Sequence, residues 1–339
     1  MKPKVSTAAS TPKRVYRYRT FNTLTVESLC HDALYFSSPA DFNDPFDCQP
    51  TVEIDSDLDV LRSTLAELIR RRVAAEVADG LKRAQIKGEK ADVHTARVAE
   101  SRTRQELKEV AYHATNPDYE TSVEEAERWL LSQQIESELL KQYDRGICCF
   151  SATYNNPLLW SHYGDQHRGI CIAYSGNRRP TPRLHKVLYG GDRVIRTSTI
   201  ARAYLESDEE ALRSLDHDIL LRKAPSWRYE REWRLIDEQG LQDSPLLMTD
   251  ITFGLRCPSA LVHALIQALA GRNAPLRFYQ IREEPGSFKL KRLPVDLSEL
   301  GVYFPKTAQS GVEIFGPPED ADLDPVIGRA TPSPSAVTA

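Results

Sequence analysis

Apolar positions along this chain change their spacing several times, and each change predicts a different element. Ile147-Cys148-Cys149-Phe150 is a compact apolar run and predicts a buried strand. Asn155-Asn156-Pro157 stops it, because proline has no N–H and biases the residue before it away from helix. Leu158 to Tyr163 predicts one or two helical turns, ended by Gly164. After Arg168-Gly169, Ile170-Cys171-Ile172-Ala173-Tyr174 predicts a second buried strand. Trp160, His162 and Tyr163 would therefore ride on a short helix between two core strands. Aromatic and titratable groups on such connections often serve a site as well as packing.

The flanks follow the same logic. Val15 to Arg19 alternates aromatic and basic residues, which predicts a strand with Tyr16 and Tyr18 on one face and Arg17 and Arg19 on the other. A short helix is expected over 26–31 with Thr25 as N-cap. Leu34-Tyr35-Phe36-Ser37 predicts a strand running into the turn-rich loop Ser38 to Asp47. Asn and Asp beside Pro favour local side-chain-to-backbone turns there, and Phe42 and Phe46 are expected to pin the loop to the core.

Residues from about 55 to 142 differ in kind, being rich in Ala, Glu, Arg, Leu and Lys. Leu58, Leu61, Leu65, Leu68 and Ile69 mark one helix; Val98, Leu107 and Val110 mark a second. Ser122 and Glu125 form a capping-box pattern that opens a third, carrying Trp129, Leu130, Ile135 and Leu139. The stretch reads as a helical insertion into a sheet-based domain. Mixed charge around Arg70-Arg71-Arg72 predicts a solvated face.

Towards the C-terminus, His185 to Tyr189 predicts a strand ended by Gly190-Gly191, and 197–222 reads as helical. Trp227 to Ile236 alternates, which predicts a strand with Glu230, Glu232 and Arg234 on one face. Ile251 to Leu255 predicts a strand and 259–269 an amphipathic helix. Residues 277–281 and 288–293 predict a closing hairpin around Pro285-Gly286. The fold class expected is α+β, with a mixed or antiparallel sheet. One domain over 14–315 would be flanked by disordered tails, 1–13 and 316–339.

Composition narrows the function classes. The 339 residues allow one large domain or two ordinary ones. A net charge of −4 argues against a general nucleic-acid or membrane-surface binder. No apolar run approaches a membrane span, and the first residues lack the apolar core of a secretory signal, so a cytoplasmic protein without a membrane partner is expected. Cys148, Cys149 and Cys171 lie in apolar runs, where cysteine acts as a small hydrophobe. In a chain this long with no export signal a disulfide framework is not expected, and with no Cys-x-x-Cys pair neither is a thiolate zinc site. The chain has no Gly-rich phosphate loop and no nucleophile elbow.

The sharpest chemical signal is the Glu230/Glu232 pair. Two carboxylates on one face of a strand, placed in a cleft, could bind a sugar hydroxyl and stabilise an oxocarbenium cation. The plainer reading is surface ion pairing with Arg228, Arg231 or Arg234. Arg17 and Arg19 could bind phosphate, or could simply guard an edge strand. Ser37, Ser38, Asn43 and Asp44 could fix a polar ligand, though turn chemistry explains them equally well. His162 is a candidate general base or proton donor, or a structural hydrogen-bond partner. His162 and His167 beside cysteines match no strong metal signature, so no metal is expected.

These residues, in order, resemble an uncharacterised bacterial family, domain of unknown function 2971. Its hallmarks are Tyr16-Arg17-Tyr18-Arg19, Leu34 to Pro39 with Phe42-Asn43-Asp44-Pro45-Phe46-Asp47, Cys149-Phe150-Ser151, Leu159-Trp160-Ser161-His162-Tyr163 with Gly169, and Trp227 with Tyr229 to Arg234. The resemblance covers roughly residues 15 to 295 and implies no activity by itself. The order of features is also similar to the ADP-ribosyltransferase fold, a split sandwich with a basic early strand and a late Glu-x-Glu strand. That resemblance implies NAD as co-substrate, Arg17 and Arg19 on its pyrophosphate, and Tyr35 or Trp160 stacked on nicotinamide. It also implies Ser37 and Ser38 bracing the site, Glu232 stabilising the cation and Glu230 orienting the acceptor. Arg234 is a departure, since it could neutralise Glu232. The expected function is an ADP-ribosyltransferase-like enzyme acting on nucleic acid or protein, in the manner of a toxin or phage-defence effector. The alternatives are a non-catalytic binding module built on Phe42 to Phe46 and the Trp160-His162-Tyr163 helix, and a nucleotide or nucleic-acid hydrolase using His162.

Overall fold

Strand Ile170–Ser175 is buried along nearly its whole length, and a sheet of eight strands extends on both sides of it in the computed structural model, which describes residues 12–316. Both expected tails fall largely outside the described residues. The chain forms two compact units, one ending at Val295 and the other starting at Asp296.

In the first unit, β1 (Arg14–Arg19) leads through α1 (Thr23–Cys30) to β2 (Ala33–Phe36). Helix α1 is capped by Asn22, not by Thr25: Asn22 Oδ1 accepts the Thr25 N–H at 2.9 Å. Asparagine just outside the helix reaches the orphan N–H, and Thr25 is buried inside the first turn instead. A 3-10 turn over Pro39–Asp41 follows, then β3 (Thr51–Glu53). Phe42 packs against the core, but Phe46 is 58% exposed, so only one phenylalanine anchors this loop.

The helical insertion stands as expected, in α2 (Leu58–Arg83), α3 (Glu89–His113) and α4 (Val123–Gln142). The Ser122–Glu125 capping box is formed reciprocally. Leu61, Leu65, Leu68 and Ile69 meet Leu131, Ile135 and Leu139 in one core. Each such burial contributes about 1.5–3 kcal/mol. Arg72 does not sit on a solvated face. It reaches Glu138 at 2.6 Å, a carboxylate 1% exposed, as well as Glu76 and Glu106, and so ties α2 to α3 and α4.

The chain then lays down β4 (Gly146–Ser151), α5 (Pro157–His162) and β5 (Ile170–Ser175). Gly169 lets the turn before β5 close over β1, since a Cβ there would lie 2.2 Å from the Arg19 carbonyl oxygen. The expected strand 185–189 is split into β6 (His185–Lys186) and β7 (Leu188–Tyr189), which pair with different partners around Val187. After β8 (Val194–Arg196), α6 (Thr197–Leu205) and α7 (Glu209–Leu220) comes β9 (Arg222–Lys223). The run from Trp227 is not a single strand. Pro225–Glu230 is a 3-10 turn, Arg231 is left-handed with φ 49°, and only β10 (Glu232–Asp237) is extended. Proline at the start of the turn and the backward twist at Arg231 override the alternation.

β11 (Gly240–Asp243), β12 (Leu247–Phe253), α8 (Ser259–Leu269), β13 (Arg277–Glu283) and β14 (Leu290–Pro294) complete the unit, the last two as the expected hairpin. The main sheet runs β14-β13-β12-β5-β1-β4-β10-β6. Only β12 and β13 pair in parallel within it, so the fold is α+β with a mixed, largely antiparallel sheet. A second core gathers Tyr18, Leu159, Trp160, Cys171, Ile281 and Leu290. The second unit holds α9 (Leu297–Tyr303), capped by Asp296, and α10 (Gly311–Phe315), capped by Ser310. Among the described residues no helix is long and apolar enough to cross a membrane.

Candidate functional site

The left-handed residue Arg231 separates two glutamates that meet again on one lysine. Lys223 Nζ, carried by β9, donates to Glu230 Oε2 at 2.6 Å and to Glu232 Oε2 at 2.9 Å. Asp47 Oδ2 lies 3.3 Å from the same nitrogen. Arg234, two residues along β10, donates to Glu232 Oε1 at 2.8 Å and to both Asp47 oxygens at 2.9 and 2.7 Å. Its remaining nitrogen reaches the Leu220 carbonyl at 2.7 Å. All five charged residues are buried, at 8% exposure or less, and carboxylates outnumber cations by one. Buried charges on this scale persist only when paired and hydrogen-bonded.

The turn that carries Glu230 is latched by its successive carbonyls. Asn156 Nδ2 donates to Tyr229 O at 3.0 Å, Ser151 Oγ to Glu230 O at 2.6 Å, and the Ala152 N–H to Arg231 O at 3.0 Å. Asn156 also caps α5, its Oδ1 accepting the Leu158 N–H at 2.9 Å. Helix α5 in turn delivers Tyr163, whose hydroxyl donates to Glu230 Oε1 at 2.7 Å and accepts from Asn43 Nδ2 at 3.3 Å. The Asn155-Asn156-Pro157 stop therefore joins the central strand to the acidic turn.

The two glutamates titrate in opposite directions. Burial pushes the Glu230 carboxyl up, with Lys223 opposing and the Glu232 charge adding to the rise. Burial would also raise Glu232, but Arg234 and Lys223 outweigh it and hold that carboxyl at about 2. Glu232 is thus a fixed anion, and Glu230 is the member of the pair whose charge can change.

These groups form one side of a cavity of about 290 Å³. Arg17 and Arg19 of β1 line the same cavity, with Ser37, Asn43, Phe42, Cys149 and Phe150. Arg17 Nη2 donates to the Tyr35 carbonyl at 2.9 Å, and Arg19 Nε to Thr25 Oγ1 at 3.3 Å. Neither guanidinium is within ion-pairing distance of a carboxylate among the described residues. Burial, then the Arg17 charge, pushes Arg19 down to about 10, so it stays cationic at neutral pH. Arg17 and Arg19, on the Phe150 face of the sheet, and Glu232, on the Ser151 face, thus all border this one cavity.

Of the residues singled out in the sequence, Arg17, Arg19, Ser37, Asn43, Glu230 and Glu232 come together here. Tyr35, Ser38, Trp160 and His162 do not line the cavity. Tyr35 contributes its backbone carbonyl to Arg17, and Ser38 donates to Asp144 Oδ1 at 2.8 Å. Trp160 is fully buried, with its indole N–H on the Tyr154 carbonyl at 2.9 Å. His162 is exposed beside Tyr229. Lys223 and Asp47 are site residues that sequence reasoning did not assign. Tyr163 was legible as a neighbour of His162 on a short helix; nothing near Lys223 distinguishes it from a solvated lysine after a helix. Among the described residues no group of three or more His, Cys, Asp or Glu is placed to hold a metal ion.

Residues 159–235 match the model of a family described as a protein of unknown function, DUF2971. The match is confined to this segment. It begins on α5 and ends on β10, so it carries Tyr163, Lys223, Glu230, Glu232 and Arg234. Arg17, Arg19 and Asp47 lie N-terminal to the DUF2971 match and reach the site through the sheet and the loop after β2. No curated protein and no solved structure matches the chain.

Proposed function

We propose that the cavity binds a phosphorylated ribosyl compound, NAD in the simplest case, and transfers its ADP-ribose. The observation that carries this reading is that two arginines without carboxylate partners and a carboxylate of raised pKa border one cavity. Arg17 and Arg19 would take the pyrophosphate, since each keeps uncommitted N–H donors. The bond between ribose C1 and the nicotinamide nitrogen breaks, and its electron pair leaves with neutral nicotinamide. A carboxylate beside C1 stabilises the cation formed. An acceptor oxygen or nitrogen then bonds to C1 and gives up its proton to that carboxylate. Glu230 fits the role best, because both Glu232 oxygens are held by cations, whereas Glu230 Oε1 meets only the neutral Tyr163 hydroxyl. The roles expected of the two glutamates are exchanged in this proposal: Glu230 meets the substrate, and Glu232 positions Lys223. The cavity is at the small end of ligand pockets, roughly 300–1,000 Å³, and would enclose one half of a dinucleotide.

A second reading, a non-catalytic binding module, draws support from the same ion pairs, because a saturated buried network also suits a purely structural lock. The test is nicotinamide release from NAD by the purified protein, with NAD binding measured alongside by calorimetry. Release that Glu230→Gln reduces by roughly a hundredfold, with binding retained, is the expected result. Binding without release supports the module, and no binding at millimolar NAD removes the transferase reading.

A further inference from the structure

The turn that presents Glu230 inward carries Trp227, Arg228 and Tyr229 and ends at Arg231; its Trp227 ring lies 5.1 Å from the Lys223 ammonium. The rings of Trp227 and Tyr229 lie 6.0 Å apart at 39°. Tyr229 and His162 follow at 6.5 Å and 33°. His162 is exposed and the other two are half-buried. Arg228 and Arg231, on either side of Tyr229, are exposed. The glutamates nearest to them are already taken by Lys223 and Arg234. Arg228 donates only weakly, to the Tyr189 carbonyl at 3.4 Å.

A second cavity, of about 300 Å³, opens at the start of the same turn beside Pro225. It repeats the pattern: Phe46 is 58% exposed, and the Arg193 guanidinium sits 4.7 Å from its ring centre. Trp227, Tyr229 and His162 thus form a row of rings with Arg228 and Arg231 exposed on the same turn, and Phe46 with Arg193 lines the cavity at the start of that turn.

We propose that this strip binds single-stranded nucleic acid, which makes a nucleotide the acceptor of the transfer under Proposed function; the acceptor role rests on that reading, the binding does not. Each nucleotide offers one π-face and one phosphate, which is what a ring beside an arginine satisfies. An acidic peptide would meet the arginines but leave the rings without flat partners. A duplex keeps its base faces stacked inside and cannot use the rings. The overall charge of −4 does not oppose such a site, because the cations are local to one turn.

The experiment is fluorescence anisotropy of the full chain with a labelled oligothymidine of about ten nucleotides, at low and rising salt. Expected are saturable binding, a duplex of equal length binding more weakly, and roughly fivefold or greater loss for Tyr229→Ala and for His162→Ala. Arg228→Ala should flatten the salt dependence by about one ion released. The titration is run without NAD, which separates this result from any failure of the transferase reading. No binding at low salt, or equal affinity for the duplex, overturns the proposal. Where Tyr229→Ala does not fold, His162→Ala decides, since its side chain is exposed; unchanged affinity in that variant also overturns it.

Discussion

Glu230 and Glu232 share the ammonium of Lys223, at 2.6 and 2.9 Å, although a left-handed residue stands between them. Removing the lysine would leave three buried carboxylates with only Arg234 to answer them. Lys223→Met is expected to destabilise the fold by about 3–5 kcal/mol, as breaking a buried pair from one side does. The urea midpoint at neutral pH measures it, and a shift of less than about 1 kcal/mol would mean that water reaches the carboxylates.

The two glutamates should leave opposite marks on stability against pH. Glu232 is held at about 2 against an ordinary value of 4.5, so its contribution is complete above 4.5 and fades as pH falls towards 2. Glu230 is raised above 4.5, so the folded state holds its proton longer, and stability falls as pH rises from 4.5 through its folded value. Glu232→Gln should flatten the acid limb, and Glu230→Gln the limb above 4.5. Urea midpoints across pH 2–8 test this; the same profile for both variants would refute the division of roles.

Much of the frame was legible because it rests on local signals. The apolar runs 147–150 and 170–174, the Ser122 capping box and the helix at 259–269 all form where pattern and capping place them. The acidic turn was not legible, because Tyr229-Glu230-Arg231-Glu232-Trp233 has the period of a strand, and a left-handed arginine carries no local mark. Lys223 and Asp47 were missed for a different reason. Asp47 meets Arg234 from 187 residues away, and such a pairing depends on how the sheet places the loop after β2. Trp160 suggests a site by its aromatic size, but its indole N–H is satisfied by Tyr154 and its ring fills the second core.

Asp250 is a second buried charge whose loss should be costly. It is fully buried on β12, and Arg14, Arg277 and Arg292 reach it at 3.2, 3.4 and 2.6 Å. Arg292 is also clamped between Tyr154 and Tyr279, with ring centres 4.4 and 4.2 Å away. Asp250→Asn would leave three cations facing one another across β1, β12, β13 and β14. A loss of about 3 kcal/mol or more is expected. Thermal unfolding reads it, and a Tm within about 2 °C of the parent would show that solvent neutralises the arginines.

Arg19 should trade stability against ligand binding. Its charge is held in a half-buried position beside Arg17, without a carboxylate to offset it, and burial lowers its pKa to about 10. At neutral pH the folded state therefore carries the full cost of that charge; the cost is relieved only as pH rises through about 10. An apolar side chain of similar length removes the cost and gives up one hydrogen bond to Thr25. Arg19→Met should then unfold at an equal or higher urea concentration than the parent. The same variant should bind pyrophosphate roughly tenfold more weakly, the loss typical of a charge-assisted hydrogen bond. A group retained against stability in a cavity wall is what a binding site requires. If Arg19→Met instead lowers the midpoint and leaves pyrophosphate affinity unchanged, Arg19 braces β1 against α1 and the anion-binding role passes to Arg17 alone.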